Sequence, residues 1–290
     1  MTSTVAVTND VKYECCPLCG CARISVVGDI DYPIPLRFST AEVSFALDPE
    51  LWRCLECDSS FVQNVMPENI ATELYSSGAS GDRWPAEEFT SQKPANQIVC
   101  INRYFRRDAS VLDIGCNTGE LLDYAKARGC TTTGVEYSEA SRRVLADKKH
   151  GAFAELSDVN AVFDVITAFD LVEHFYDARG FFEACRSKLK NGGVLIILTG
   201  DIGSLSARLS RAKWWYLKYP EHVVFPSKTF FRTRLGLRLE RWVRTYASKG
   251  YKVRWSTIMR QSLIAFLRGT YAGLPSIGPD HVLVVLKNDQ

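Results

Sequence analysis

The chain has 290 residues, 46% of them hydrophobic and 23% charged, a balance typical of a soluble globular protein of about two domains. No apolar run approaches the ~20 residues of a membrane span and no heptad, Gly-X-Y or low-complexity pattern occurs, which excludes a channel, a coiled coil, a collagen and a disordered chain. The net charge of +2 hides a segregation: residues 1–70 carry four basic and ten acidic side chains, whereas residues 202–270 carry fifteen basic and two acidic.

The N-terminal MTSTVAVTNDVKYECC has neither a basic region leading into an apolar core nor an Arg-rich amphipathic character. A secretory or transit peptide is therefore not expected, and the predicted compartment is the reducing cytoplasm. Six of the ten cysteines fall within the first 57 residues, in Cys16-Pro-Leu-Cys19-Gly20 and Cys54-Leu-Glu-Cys57, with Cys15 and Cys21 flanking the first pair. Paired CxxC turns in a reducing compartment favour a metal over disulfides. Each turn brings two thiolates within reach of one tetrahedral zinc, so Cys16, Cys19, Cys54 and Cys57 are the expected ligands of a structural Zn2+ with no open position. Pro33, Pro35 and Pro49 make the intervening stretch an irregular excursion. Residues 1–70 thus read as a small zinc-ribbon-like domain.

Residues 71–107 read as helical linker, punctuated by Gly78, Gly81 and Pro85, with a helix over about 94–106. From there strands and helices alternate. Strands are predicted at 111–114, 131–135, 164–168 and 194–198, and helices at 120–128, 138–150 and 177–189, with Gly192-Gly193 as the turn into the last strand. This alternation indicates βαβ units and a doubly wound, Rossmann-like α/β fold with a mostly parallel sheet over residues 108–290. Such sheets bind ligands at the carboxyl ends of their strands. There lies Asp113-x-Gly115-Cys116-Asn117-x-Gly119, a strand-to-helix turn whose glycines admit a close backbone approach. The next strand ends in Glu136, a carboxylate placed to accept both hydroxyls of a ribose. A dinucleotide fingerprint would need a third glycine, and Asp113 would repel a pyrophosphate but attract an ammonium. The turn therefore points to S-adenosyl-L-methionine rather than NAD.

VLDIGCNTGELL, GVEYS, FDVITAFDLVEH and LKNGGVLIIL, in this order, resemble the class I S-adenosylmethionine-dependent methyltransferases over about residues 95–290. The resemblance implies that Asp113, Gly115, Cys116, Asn117 and Gly119 shape the methionine pocket and that Glu136 holds the ribose. It also implies that Tyr137 flanks the adenine, that Glu155 reaches its amine, and that Phe169 and Asp170 border the methionine end. Asn117 stands where the family commonly has glycine; asparagine tolerates the left-handed backbone that such a turn needs.

Methyl transfer to a hydroxyl needs a positioned nucleophile and a group to take its proton, and histidine is the natural base near neutrality. His150, at a helix end, and His281, opening the last strand, read as structural. His222, in WWYLKYPEHVVFPS, is the first candidate base and His174, in DLVEH, the second, with Glu173 and Glu221 as neighbours able to orient them. The insertion at about 202–226 resembles a segment of bacterial glycan and specialised-metabolite methyltransferases that covers the acceptor, and Trp214, Trp215 and Tyr216 would offer it flat faces. The basic segment 202–270 admits an anionic or sugar-containing small-molecule acceptor, nucleic acid, or peripheral contact with an anionic membrane through a helix over 256–271. The expected function is O-methylation of a sugar or similar metabolite. The alternatives are a zinc-containing RNA methyltransferase and a non-catalytic, zinc-stabilised module that binds a partner.

Overall fold

In the computed structural model, residues 5–31, 36–38, 41–77, 89–248, 256, 259–260, 276 and 278–290 are described. The expected membrane-facing helix over 256–271 lies largely outside them. Among the described residues no helix is long and apolar enough to cross a membrane.

Short strands dominate the N-terminal region, as its turns and prolines require. β1 (Val5–Val7), β3 (Leu36–Phe38) and β4 (Ala41–Phe45) form one small sheet in the order β1-β4-β3. β2 (Ile24–Asp29), β5 (Glu50–Cys54) and β6 (Ser60–Gln63) form an antiparallel meander. Three helices follow: α1 (Glu68–Ser77), α2 (Phe89–Gln92) and α3 (Ala95–Asn102).

β7 (Ser110–Ile114) begins the central sheet and leads through the glycine turn into α4 (Glu120–Lys126). β8 (Thr131–Val135), α5 (Glu139–Asp147), β9 (Gly151–Phe153), β10 (Phe163–Phe169), α6 (Ala178–Ser187) and β11 (Leu189–Gly200) follow. These five strands are all parallel. Leu195, Ile196, Ile197 and Leu198 of β11 are inaccessible to solvent, the mark of a strand covered on both faces. β13 (Arg238–Thr245) and β14 (His281–Lys287) complete a seven-stranded sheet in the order β13-β14-β11-β10-β7-β8-β9, with β14 antiparallel to both its neighbours. The order reverses between β7 and β10, so the crevice at a topological switch point opens over the ends of these two strands. Gly192-Gly193 is not a turn before a strand. It lies inside β11 as a bulge, where pairing with β10 jumps from Phe163–Leu189 to Val165–Val194. A Cβ on Gly193 would lie 2.9 Å from the Lys190 carbonyl oxygen and 3.0 Å from that of Phe163, so only glycine fits.

Between β11 and β13 the chain forms α7 (Leu205–Ser210), β12 (Val224–Phe225) and α8 (Lys228–Thr233). β12 leaves the seven-stranded sheet altogether. It pairs antiparallel with β6, Val224 opposite Phe61 and Phe225 opposite Ser60, giving a four-stranded sheet β12-β6-β5-β2. A boundary at residue 70 therefore divides a single core: Leu51, Phe61 and Met66 pack in one continuous cluster with Phe225, Phe230, Phe231 and Phe182. Full burial of one such phenylalanine contributes about 1.5–3 kcal/mol.

Trp214 and Tyr216 are buried at this seam rather than offered to a ligand. They lie over Gly200, where a Cβ would meet Trp214 Cη2 at 2.8 Å and the Tyr216 ring more closely still. Gly200→Ala should thus lower stability by about 1–3 kcal/mol through overpacking, read as a shift of the urea midpoint without a change of slope.

Candidate active site

The end of β7 sets the first half of the site. Asp113 is buried, opposite Gly134 of β8, and accepts a hydrogen bond from Thr167 Oγ1 of β10 at 2.6 Å. Burial pushes its carboxyl up to about 7; the Thr167 hydroxyl pulls the other way, and the Glu120 and Glu136 carboxylates raise it further. Beyond it the chain turns through three left-handed residues, Gly115 (φ +72°), Asn117 (φ +48°) and Gly119 (φ +86°). The Gly115 amide is held by the Val135 carbonyl at 2.8 Å. Glu136, just past β8, closes on the same turn: its Oε2 accepts from the Asn117 N–H at 3.0 Å and its Oε1 from the Ser138 N–H at 2.9 Å. Asp113, the glycine turn and Glu136 form one cradle at the carboxyl edge of the sheet.

Cys116 departs from the expectation. Its side chain is buried and lies against Gly134, where a Cβ could not coexist with its sulfur, so it packs in the core and only its backbone faces the cradle. Tyr137 is 62% exposed at the rim. Glu155 precedes a short 3-10 turn, and burial followed by the Glu155 charge raises the Tyr137 phenol.

At the other end of the crevice, Phe169 ends β10 and Asp170 follows with φ +50°, a strained conformation for a non-glycine residue and common at functional sites. Lys93, between α2 and α3, places Nζ 3.3 Å from Asp170 Oδ2 and 5.9 Å from the centre of the Phe169 ring. Sequence reasoning missed Lys93 because it stands in a stretch read as linker, without a motif around it.

The two candidate bases meet. His174 and His222, 48 positions apart, bring their rings to 4.8 Å at an interplanar angle of 90°. His174 Nδ1 lies 2.9 Å from the Glu221 carbonyl oxygen and His222 Nδ1 lies 2.8 Å from that of Tyr216. A carbonyl only accepts, so both Nδ1 atoms carry a proton. Burial drives His222 well below its ordinary pKa, and neighbouring His174 adds to the shift. The neighbouring carboxylates act differently from the expectation. The Glu221 backbone carbonyl accepts from His174 Nδ1. Glu173 is buried and accepts from the Tyr216 hydroxyl and, at 3.0 Å, from Thr199 Oγ1. Burial raises Glu173, and burial followed by the Glu173 charge raises Tyr216. His150, between Thr132 and Asp123, and His281, beside Asp280, are buried and structural.

Cys16, Cys19, Cys54 and Cys57 converge. Their sulfurs lie within 4.8 Å of one another, with Cys16–Cys57 at 3.8 Å and Cys19–Cys54 at 3.6 Å. Four Zn–S bonds of about 2.3 Å in a tetrahedron put sulfurs about 3.8 Å apart, so the donor set fits. Gly20 (φ +74°) and Asp58 (φ +61°) follow the two knuckles with their amides bonded back to the Cys16 and Cys54 carbonyls. Cys15 and Cys21 stay outside the cluster.

The family model for a methyltransferase domain matches residues 88–237, just over half the chain. A ubiquinone biosynthesis O-methyltransferase from Idiomarina loihiensis is 33% identical over 157 residues, 47% of this chain and 62% of the relative. Its counterpart in Bradyrhizobium diazoefficiens is 34% identical over 98 residues, 31% of this chain and 39% of the relative. The chain thus spans less than two thirds of the length of these curated relatives. Among solved structures, the complex of the Haloferax volcanii Trm112 methyltransferase activator with a methyltransferase contains a chain that matches with a TM-score of 0.50 at 12% identity, over 76% of this chain and 98% of that one, a likeness of fold. The sequence match, the strand order and the cradle at the switch point agree, and the chain belongs to the methyltransferase-domain family.

Proposed function

We propose that the protein is an S-adenosylmethionine-dependent methyltransferase acting on a hydroxyl of a small molecule, with a sugar-containing acceptor as the first class to test. The observation that carries this reading is the cradle of Asp113, Gly115, Asn117, Gly119 and Glu136. The cofactor supplies a methyl group on a sulfonium, an electrophile that needs no activation. Asp113 would hold the ammonium of its methionine, and Glu136 would exchange backbone amides for ribose hydroxyls. Tyr137 and Glu155 would border the adenine, while Phe169, Asp170 and Lys93 enclose the opposite end. On the acceptor side, His222 Nε2 would take the hydroxyl proton, with His174 as the neighbouring base. Burial keeps the His222 ring neutral, so its lone pair is available.

The tetracysteine cluster is proposed to hold a structural zinc. The Ser227 hydroxyl donates to the Cys57 carbonyl, the Ser227 amide donates to Ser59 Oγ at 3.0 Å, and Val62 N–H donates to the Val223 carbonyl at 2.8 Å. These bonds fasten the segment after His222 to the metal knuckle, so the zinc would buttress the acceptor side rather than take part in the chemistry. Several cations of the basic segment are engaged by this acidic module, including Lys213 with Asp31 and Arg234 with Glu56. That favours a small acceptor over RNA, because these charges are already paired with carboxylates of the same chain.

Three outcomes test the reading. S-adenosylhomocysteine should bind calorimetrically, and its affinity should weaken by about tenfold per pH unit below about pH 6 and level off above about pH 8. The carboxyl of Asp113 stands near 7 in the empty site and must be ionised to hold an ammonium. Asp113→Asn should bind weakly with no such slope; no binding by the native protein at millimolar ligand ends the enzyme reading. His222→Gln should cut methyl transfer by about 10²–10⁴-fold while S-adenosylhomocysteine affinity changes less than about twofold. Elemental analysis should find about one zinc per chain, lost in Cys54→Ser.

A further inference from the structure

Lys148, the residue after α5, reaches back to the glycine turn of the cradle. Its Nζ donates to the Thr118 carbonyl at 2.6 Å and to Asp123 Oδ2 at 2.7 Å. Thr118 stands between Asn117 and Gly119, both left-handed. The ammonium therefore holds a carbonyl of the turn at its most constrained stretch of backbone.

The carboxylate that receives the lysine is itself fixed. Asp123 Oδ1 lies 3.0 Å from His150 Nε2, and His150 Nδ1 lies 2.7 Å from Thr132 Oγ1 of β8. An ionised carboxylate only accepts, so Nε2 donates to it. The His150 side chain is inaccessible to solvent. A free surface ion pair gains little because two long side chains must be ordered to form it. Here a packed ring orients the acid in advance, and the second bond of the lysine goes to main chain. The turn also sits on the end of α5: a Cβ on Gly119 would lie 2.6 Å from Leu145 Cδ2 and 3.5 Å from His150 Cδ2. Nearer its start, α5 holds the other side of the cradle, where Arg142 Nη1 donates to the Glu136 carbonyl at 2.7 Å and the Tyr137 carbonyl at 2.6 Å. A turn ordered before binding leaves more of the contact energy for affinity.

We propose that Lys148 is a positioning residue for the cofactor: anchored by Asp123, it fixes the Thr118 carbonyl and so sets the affinity of the cradle for its S-adenosyl ligand. It acts through the turn rather than on the ligand. The inference rests on the proposed cofactor reading of the cradle and adds that α5 maintains its shape.

Calorimetry with S-adenosylhomocysteine tests it, with urea midpoints measured on the same samples. Lys148→Met keeps the aliphatic stem and removes the ammonium; it should weaken binding about tenfold, the scale of one charge-assisted hydrogen bond. Lys148→Arg should recover binding to within about threefold of native. Asp123→Asn should weaken binding in the native protein but change it by less than about twofold in the Lys148→Met background, because an anchor has no effect once the lysine is gone. Lys190→Met breaks a surface ion pair with Asp164 (2.7 Å) at the opposite edge of the sheet. It should leave affinity within about twofold of native, which separates positioning from a general loss of stability. Should Lys148→Met lack a cooperative urea transition, Asp123→Asn against Lys190→Met carries the same comparison. Native affinity in Lys148→Met, a loss matched by Lys190→Met, or no recovery in Lys148→Arg overturns the positioning role. Additive losses in the double variant overturn the part of Asp123. No binding by the native protein overturns the cofactor reading and this inference with it; native binding with unchanged variants overturns this inference alone.

Discussion

Two residues of extended chain, Val224 and Phe225, hold the architecture together. By pairing with Phe61 and Ser60 they lend a strand from the methyltransferase-domain half to the cysteine-rich half, and their side chains are inaccessible to solvent. A two-residue strand has little stability of its own. It persists because Phe225 fills the space among Trp214, Tyr216 and the β6 face, and because Ser227 immediately afterwards donates to the Cys57 carbonyl and to Ser59 Oγ. The position of His222 depends on this join. The ring is two residues before the strand, its Nδ1 proton is held by Tyr216, and its neighbour Val223 is tied to Glu173.

The same join organises buried charge. Glu173 is an acid removed from water between two hydroxyl donors, and Tyr216 serves it with the hydroxyl while serving His222 with the carbonyl. An isolated carboxylate in such a place would cost several kcal/mol. Two hydrogen bonds offset part of that cost and leave the group sensitive to whatever enters the site. Asp113 presents a parallel case on the cofactor side. One threonine hydroxyl bonds it and no cation touches it among the described contacts, and burial pushes its carboxyl up to about 7. Each half of the crevice therefore holds a buried acid whose carboxyl burial raises.

Charge segregation along the chain acquires an internal meaning. The acidic first module and the basic late segment are docked surfaces of one body: Arg234 on Glu56, Lys213 on Asp31, and Thr229 on Asp58. Exposed pairs of this kind contribute little stability each. Their complementary signs instead favour one orientation of the module against the insertion.

The sequence by itself determined the elements whose causes are local. Alternating apolar strands and amphipathic helices defined the parallel sheet, and an acid with two glycines defined the turn because backbone conformation is set residue by residue. CxxC spacing located four thiols that the structure gathers within reach of one ion. What only the tertiary structure decided were the relations between distant segments. Nothing local says that residues 224–225 would join a sheet begun at residue 24, or that Tyr216 and Trp214 would be buried rather than face an acceptor. Nothing local shows that the Glu221 carbonyl meets the His174 ring, since every residue has the same carbonyl and only packing chooses which one does so. Gly192-Gly193 carried the signal of a turn and became a bulge because the Lys190 and Phe163 carbonyls crowd it. Lys93 lacked any motif, and its place beside Asp170 arises from how α2 and α3 lie against the end of the sheet.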